Sequence, residues 1–100
     1  MLRHVVLLQF KQEITPDQMQ LLKNGFLALK DQIDSVQNFE WGMNISPENL
    51  SKGFTHCFIV TFADEAARDA YLVHEAHQAF AHQLLAATNQ ILVVDFWAQS

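Results

Sequence analysis

HVVLLQFK, residues His4–Lys11, reads as a strand that is apolar on both of its sides. Alternation puts Val6, Leu8 and Phe10 on one face and Val5 and Leu7 on the other. An antiparallel sheet with one wet face alternates apolar and polar residues instead. A sheet built around this strand therefore needs cover on both faces, and that requirement decides the architecture. Later segments repeat it. Phe58, Val60 and Phe62 stand against Cys57 and Ile59, and Ile91 and Val93 stand against Leu92, Val94 and Phe96.

Outward from this strand, Thr15-Pro16-Asp17-Gln18 is a helix start. Thr15 is the N-cap, Pro16 takes the first helical position, and Gln18 closes a capping box. Met19, Leu22, Phe26, Leu29 and Ile33 give that helix one apolar face to about Asp34. Gly25 inside it costs ~1 kcal/mol relative to Ala; its small size suits a close approach to the sheet, or room for a ligand. Val36–Asn44 alternates Phe39, Trp41 and Met43 with more polar residues and predicts a half-buried strand. Ile45–Gly53 is the main loop, and Phe54–Phe62 a third strand. Asp64 caps a second helical segment that runs through Tyr71, breaks near Val73–Glu75 and continues to about Thr88. Gln90–Trp97 is the last strand.

The order is β-α-β-β-α-β, an α+β, ferredoxin-like arrangement in a single domain spanning residues 1–100. Two right-handed crossovers put both helices on one face of a four-stranded antiparallel sheet, with spatial order 4-1-3-2. The helix-free face is then a contiguous apolar patch, which marks an interface. A two-fold homodimer whose sheets pack face to face into a dimeric α/β barrel covers it with no further partner.

Composition excludes several function classes. The net charge is -5 and the 6 Lys and Arg residues are dispersed, which argues against nucleic acid. No apolar stretch is long enough to cross a bilayer, so a cytoplasmic protein is expected. The 1 cysteine, Cys57, forms no intrachain disulfide and reads as a small strand hydrophobe. No Cys/His spacing suggests zinc, no carboxylate cluster suggests magnesium, and no glycine-rich phosphate loop is present. The expectation is a protein without metal or cofactor.

His77 is the residue that does not fit its surroundings. It shares an apolar helical stripe with Phe80, Ala81, Leu84 and Thr88. A titratable ring there is costly unless it has partners. Strand directions supply candidates. With the first strand running up, His4 at its start and Asp95 near the end of its neighbour both lie at the bottom. Tyr71, His74 and His77, in the first half of the second helical segment, lie in the lower half too. His56, at the start of the third strand, lies at the opposite end. In such a group Asp95 orients an imidazole and stabilises its protonated form, the imidazole moves a proton near neutral pH, and Tyr71 donates to a carbonyl or enolate oxygen. Each residue also has a plain structural role open to it. His77 fits a core histidine bonded to a carbonyl, His74 a cap for the second part of the helix, His56 an anchor for the long loop, and His4 a polar strand end. Asp95 fits an edge closure and Tyr71 a core-edge residue. His82 reads as surface, and Trp41 and Trp97 as interface or core.

The chain resembles the stress-responsive dimeric A/B-barrel (Dabb) family over nearly its whole length. The resemblance is carried by His4-Val5-Val6-Leu7 with Phe10-Lys11, by Gly53-Phe54-Thr55-His56 with Val60-Thr61-Phe62, by Ala70-Tyr71-Leu72, His74, Ala76-His77 and Phe80, and by Leu92-Val93-Val94-Asp95-Phe96. It implies the ferredoxin-like fold and a homodimer through the sheets. The chain is also similar to a plant member that closes a polyketide chain by a cofactor-free aldol reaction. That likeness implies catalytic roles for Tyr71 and His77, pocket positions for His4, His56 and Asp95, and a pocket wall at Phe26. It implies a small aromatic or polyketide-like ligand. Where the family often has a proline between two pocket histidines, this chain has His74-Glu75-Ala76-His77. That change is expected to weaken the helix break and shift His74. Two further functions remain open at this point: a non-enzymatic stress-response dimer, and a cofactor-free monooxygenase.

Overall fold

Leu2–Phe10 forms β1, and every second residue of it, from Leu2 to Phe10, is buried. The computed structural model describes residues Met1–Ser100. The remaining elements are α1 (Pro16–Gln32), β2 (Asn38–Met43), β3 (His56–Phe62), α2 (Glu65–Val73), α3 (Glu75–Ala87) and β4 (Thr88–Trp97). The strands are antiparallel neighbours in the order β2-β3-β1-β4. This is the expected 4-1-3-2 sheet read from its other edge, with the second helical segment divided in two.

Local chemistry explains the boundaries. Thr15 and Gln18 form the reciprocal capping box at the start of α1, with Pro16 just inside. β1 starts two residues before the expected His4, because Leu2 pairs with both Phe62 and Trp97. β2 is shorter than the alternating stretch and begins at Asn38. β4 begins at Thr88 rather than Gln90, directly from the last residue of α3. A register shift between Gln9 and Phe10 brings Thr88 opposite Phe10, and the Lys11 amide donates to the Ala87 carbonyl at 2.9 Å.

The helix break survives without a proline. His74 is extended, with φ -64° and ψ 137°, and its Nδ1 accepts from the Ala76 amide at 3.0 Å. That ring supplies the N-cap of α3, while Glu75 puts negative charge in its first turn, where the helix dipole favours it. The expected weakening is therefore not seen: the side-chain cap of His74 accompanies a clean break between α2 and α3.

The core lies between the helices and one sheet face. Phe26 of α1 stacks on Phe58 at 4.5 Å and also meets Phe39 and Phe80, each at 5.0 Å. Gly25 serves this packing, though against a different neighbour from the one expected. A Cβ there would stand 3.1 Å from Cε1 of Phe80, so the close approach is to α3 and not to the sheet.

The opposite face carries no helix. Val5 pairs with Ile59 and Val94, Leu7 with Cys57 and Leu92, and Arg3 with Thr61 and Phe96. On β4 this leaves Leu92, Val94 and Phe96 44–51% exposed. No helix of the structure is long and apolar enough to cross a membrane.

The capping box gives a direct test of how α1 is held. Thr15→Ala removes one of its two hydrogen bonds and should lower stability to urea by about 1 kcal/mol. An unchanged midpoint would show that the Thr15 hydroxyl adds nothing to the stability of α1.

Candidate functional site

The register of β1 against β4 sets His4 directly opposite Asp95. Both side chains lie on the helix-covered face, in phase with Val6 and Val93. His4 Nδ1 and Asp95 Oδ1 are 2.7 Å apart. The other carboxylate oxygen, Oδ2, accepts from Nη1 of Arg68 at 3.0 Å. Arg68 belongs to α2, so this contact ties that helix to the edge strand.

Tyr71 and His77 approach from above. Tyr71 is 1% exposed, and its ring centroid lies 4.4 Å from that of His77 and 6.0 Å from that of His4. Burial pushes the Tyr71 phenol well above its ordinary range, so it stays protonated. The hydroxyl takes no hydrogen-bond partner within the chain, and the residue borders a cleft. His77 owes its position to the helix break. The last four carbonyls of a helix lack intrahelical partners, and Leu72 is among those of α2. The Ala76 amide, which would bond Leu72 in a continuous helix, is taken by His74. Nδ1–H of His77 donates to the Leu72 carbonyl instead, at 3.1 Å. That leaves Nε2 with a lone pair. Burial lowers the basicity of the ring, and His4 and His74 lower it further; the Leu72 hydrogen bond offsets part of this.

These residues line a cleft of about 430 Å³ between the helices and the β1–β4 half of the sheet. Val6, Phe26, Phe80, Leu84, Ile91 and Val93 make its apolar wall, and His4, Tyr71, His77 and Asp95 are its polar groups. Val93 is 50% exposed although it faces the helices, because β4 reaches beyond their cover and leaves the cleft a mouth. Chemically, the site offers a buried proton donor, a neutral proton acceptor and a room for an apolar group.

Two of the candidate residues lie elsewhere. His74 is exposed, and its ring serves as the cap of α3. His56 is buried at the other end of the sheet, opposite Leu8, where Nδ1 lies 2.8 Å from Oγ1 of Thr55. It borders two roomier grooves, of about 720 and 890 Å³, neither of which includes Tyr71 or His77. Burial and the nearby Lys23 lower its basicity. Sequence reasoning missed two participants. Arg68 stands one helical turn before Tyr71 on the same face, but a lone arginine at that spacing reads as a solvated residue. The Leu72 carbonyl is backbone, and no residue type signals it.

The state of His77 makes stability depend on pH. The unfolded chain protonates this ring near its ordinary value of 6.5, and the folded chain only at lower pH. Unfolding therefore takes up a proton in that window, and stability falls as pH drops through it. His56, lowered too, adds to the slope. His77→Gln should lose less stability than the parent between about pH 6.5 and pH 5 in urea titrations. Equal losses would show that the folded chain charges His77 as easily as the unfolded one.

Comparison with known proteins agrees with the fold. The family model described as the stress responsive A/B barrel domain, Dabb, matches residues 2–98. The stress-response A/B barrel domain-containing protein HS1 of Arabidopsis thaliana is 36% identical, over 94% of this chain and 86% of that protein. Olivetolic acid cyclase of Cannabis sativa is 28% identical, over 94% of this chain and 93% of that enzyme. A crystal structure from Arabidopsis thaliana, 35% identical, superimposes with a TM-score of 0.97 over 100% of this chain and 97% of the other. A dimeric ferredoxin-like protein of unknown function from Jannaschia, 32% identical, gives 0.85 over 97% and 98%. With this fold, and a family match across nearly every residue, the chain belongs to the stress-responsive A/B barrel (Dabb) family.

Proposed function

We propose that the His77 cleft binds a small carbonyl- or phenol-bearing molecule with an apolar tail, aromatic or polyketide-like, and moves a proton on it without a cofactor. The observation that carries this reading is the Tyr71–His77 pair, with rings 4.4 Å apart. One is a buried phenol with no partner; the other is an imidazole whose Nδ1 is already committed to Leu72. His77 Nε2 takes a proton from the carbon beside a carbonyl, and the electron pair moves onto the carbonyl oxygen. Tyr71 donates to that oxygen as its charge grows. Both groups are held in the form the step needs: the imidazole neutral, the phenol protonated. The apolar wall with Phe26 receives the tail, and His4 with Asp95 orients the polar end. The likeness to olivetolic acid cyclase supports a cyclase- or lyase-like reaction of this class.

Solvent deuterium exchange beside the carbonyl of a panel of alkyl and aryl ketones tests the reading. The parent should speed exchange on at least one, and His77→Ala should reduce that rate by about 10²–10⁴-fold. Tyr71→Phe should slow it as well. If no ketone exchanges faster with the parent than with His77→Ala, while both remain folded, His77 is not a base. Ligand binding that persists without exchange would favour a binding protein over an enzyme.

We also infer a homodimer through the helix-free sheet face. The support is the exposed stripe of Leu92, Val94 and Phe96 beside half-buried Val5, Leu7 and Ile59, and the dimeric Jannaschia relative. Light scattering at micromolar concentration should give twice the chain mass, and Val94→Asp should give the chain mass alone. A monomeric parent overturns the inference.

A further inference from the structure

We propose that Arg68 is a positioning residue of the cleft: its guanidinium clamps Asp95, and through Asp95 it locks His4 in the tautomer whose Nε2 is left for a bound molecule. The geometry is a chain of fixed contacts. Nη1 of Arg68 donates to Oδ2 of Asp95 at 3.0 Å, and Oδ1 of the same carboxylate lies 2.7 Å from His4 Nδ1. An ionised carboxylate only accepts hydrogen bonds, so Nδ1 must carry a proton, and in the neutral ring Nε2 then holds the lone pair.

Asp95 needs such a clamp. It stands on an edge strand beside the cleft mouth, and its side chain is 22% exposed. A carboxylate held by one oxygen turns freely about its last torsion and competes for water with the other. Held by both oxygens, it has one orientation. The guanidinium is itself fixed from behind, with Nε and Nη2 each 3.1 Å from Oδ1 of Asp69. A planar fork serves two carboxylates at once, which a lysine ammonium does not do with the same geometry. His4, 5% exposed and 6.0 Å from the Tyr71 ring, then meets the cleft with a single tautomer. Arg68 acts on the cleft only through Asp95. That the freed Nε2 meets a ligand rests on the reading of the cleft given above; the tautomer lock does not.

Long-range ¹⁵N–¹H spectra of the histidine rings, on the whole chain without ligand, test the clamp. In the parent, His4 should show one tautomer, protonated at Nδ1. In Arg68→Met the His4 Nδ1 and Nε2 signals should move toward each other as the two tautomers mix. His77 should not change, because Leu72 holds it independently. Arg68→Lys should restore most of the parent pattern, since one donor to Oδ2 remains. Arg68→Ala repeats the experiment with a short side chain if Arg68→Met does not fold. A His4 ring that keeps its single tautomer in Arg68→Met, or in Arg68→Ala where that is the variant that folds, overturns the proposal. So does a parent in which His4 is already mixed. The readout needs no ligand and no turnover, so failure to find ketone exchange leaves it standing, and the reverse also holds.

Discussion

The register of β1 against β4 is the constraint on which the rest of the molecule depends. Side chains alternate along a strand, so a slip of one residue would exchange the two faces of β4. Asp95 would leave His4 for the helix-free face, and Leu92, Val94 and Phe96 would turn toward the helices. Two features fix the phase. Along the strand, Leu2, Val6 and Leu8 meet Trp97, Val93 and Ile91 on the helix-covered side. At the start of β4, α3 passes into the strand with no linker, and the Lys11 amide holds the Ala87 carbonyl. The strand enters the sheet with its phase already set, and the irregularity between Gln9 and Phe10 absorbs the mismatch. The His4–Asp95 pair is a consequence of that junction.

The second device is the exchange of partners at the helix break. His74 satisfies an amide at the start of α3, and His77 satisfies a carbonyl at the end of α2. Two histidines three residues apart thus cap the two helix ends that one break exposes. Their fates differ because of where the rings point. The His74 ring is in solvent and caps α3. The His77 ring is turned inward, over Tyr71, and its second nitrogen is left to the cleft. The local requirement for a cap therefore orients a group that can also do chemistry.

Much of this architecture is legible in the residues themselves. Thr15-Pro16-Asp17-Gln18 marks the start of α1 because each residue does a separate physical task there. The two-faced strands call for a layered sheet, and strand directions alone separate His56 from the group near His4. The less legible parts have physical causes. Strand ends at Leu2 and Thr88 depend on partners distant in sequence. His74 combines a ring suited to a pocket with a position suited to a cap, and the cap prevails because an unpaired amide stands beside it. Arg68 is hidden by its type, since an arginine on an amphipathic helix usually reads as solvated. Its value comes from Asp95, 27 residues away, which no helical periodicity connects to it.

The cleft divides its electrostatics between its two walls, and that division constrains the proposed chemistry. Toward the β4 edge, Arg68 and Asp95 form an ion pair, and His4 is joined to it by a hydrogen bond. On the helix side, burial keeps Tyr71 and His77 uncharged. Desolvation that keeps His77 neutral also opposes the imidazolium it becomes on accepting a proton. A proton taken there is held at a cost. A reaction that ends by giving the proton back to the same molecule at another atom, as an aldol closure or an isomerisation does, fits such a base better than one that releases it to water. The arrangement therefore favours a brief proton transfer within an enclosed complex over net acid or base release.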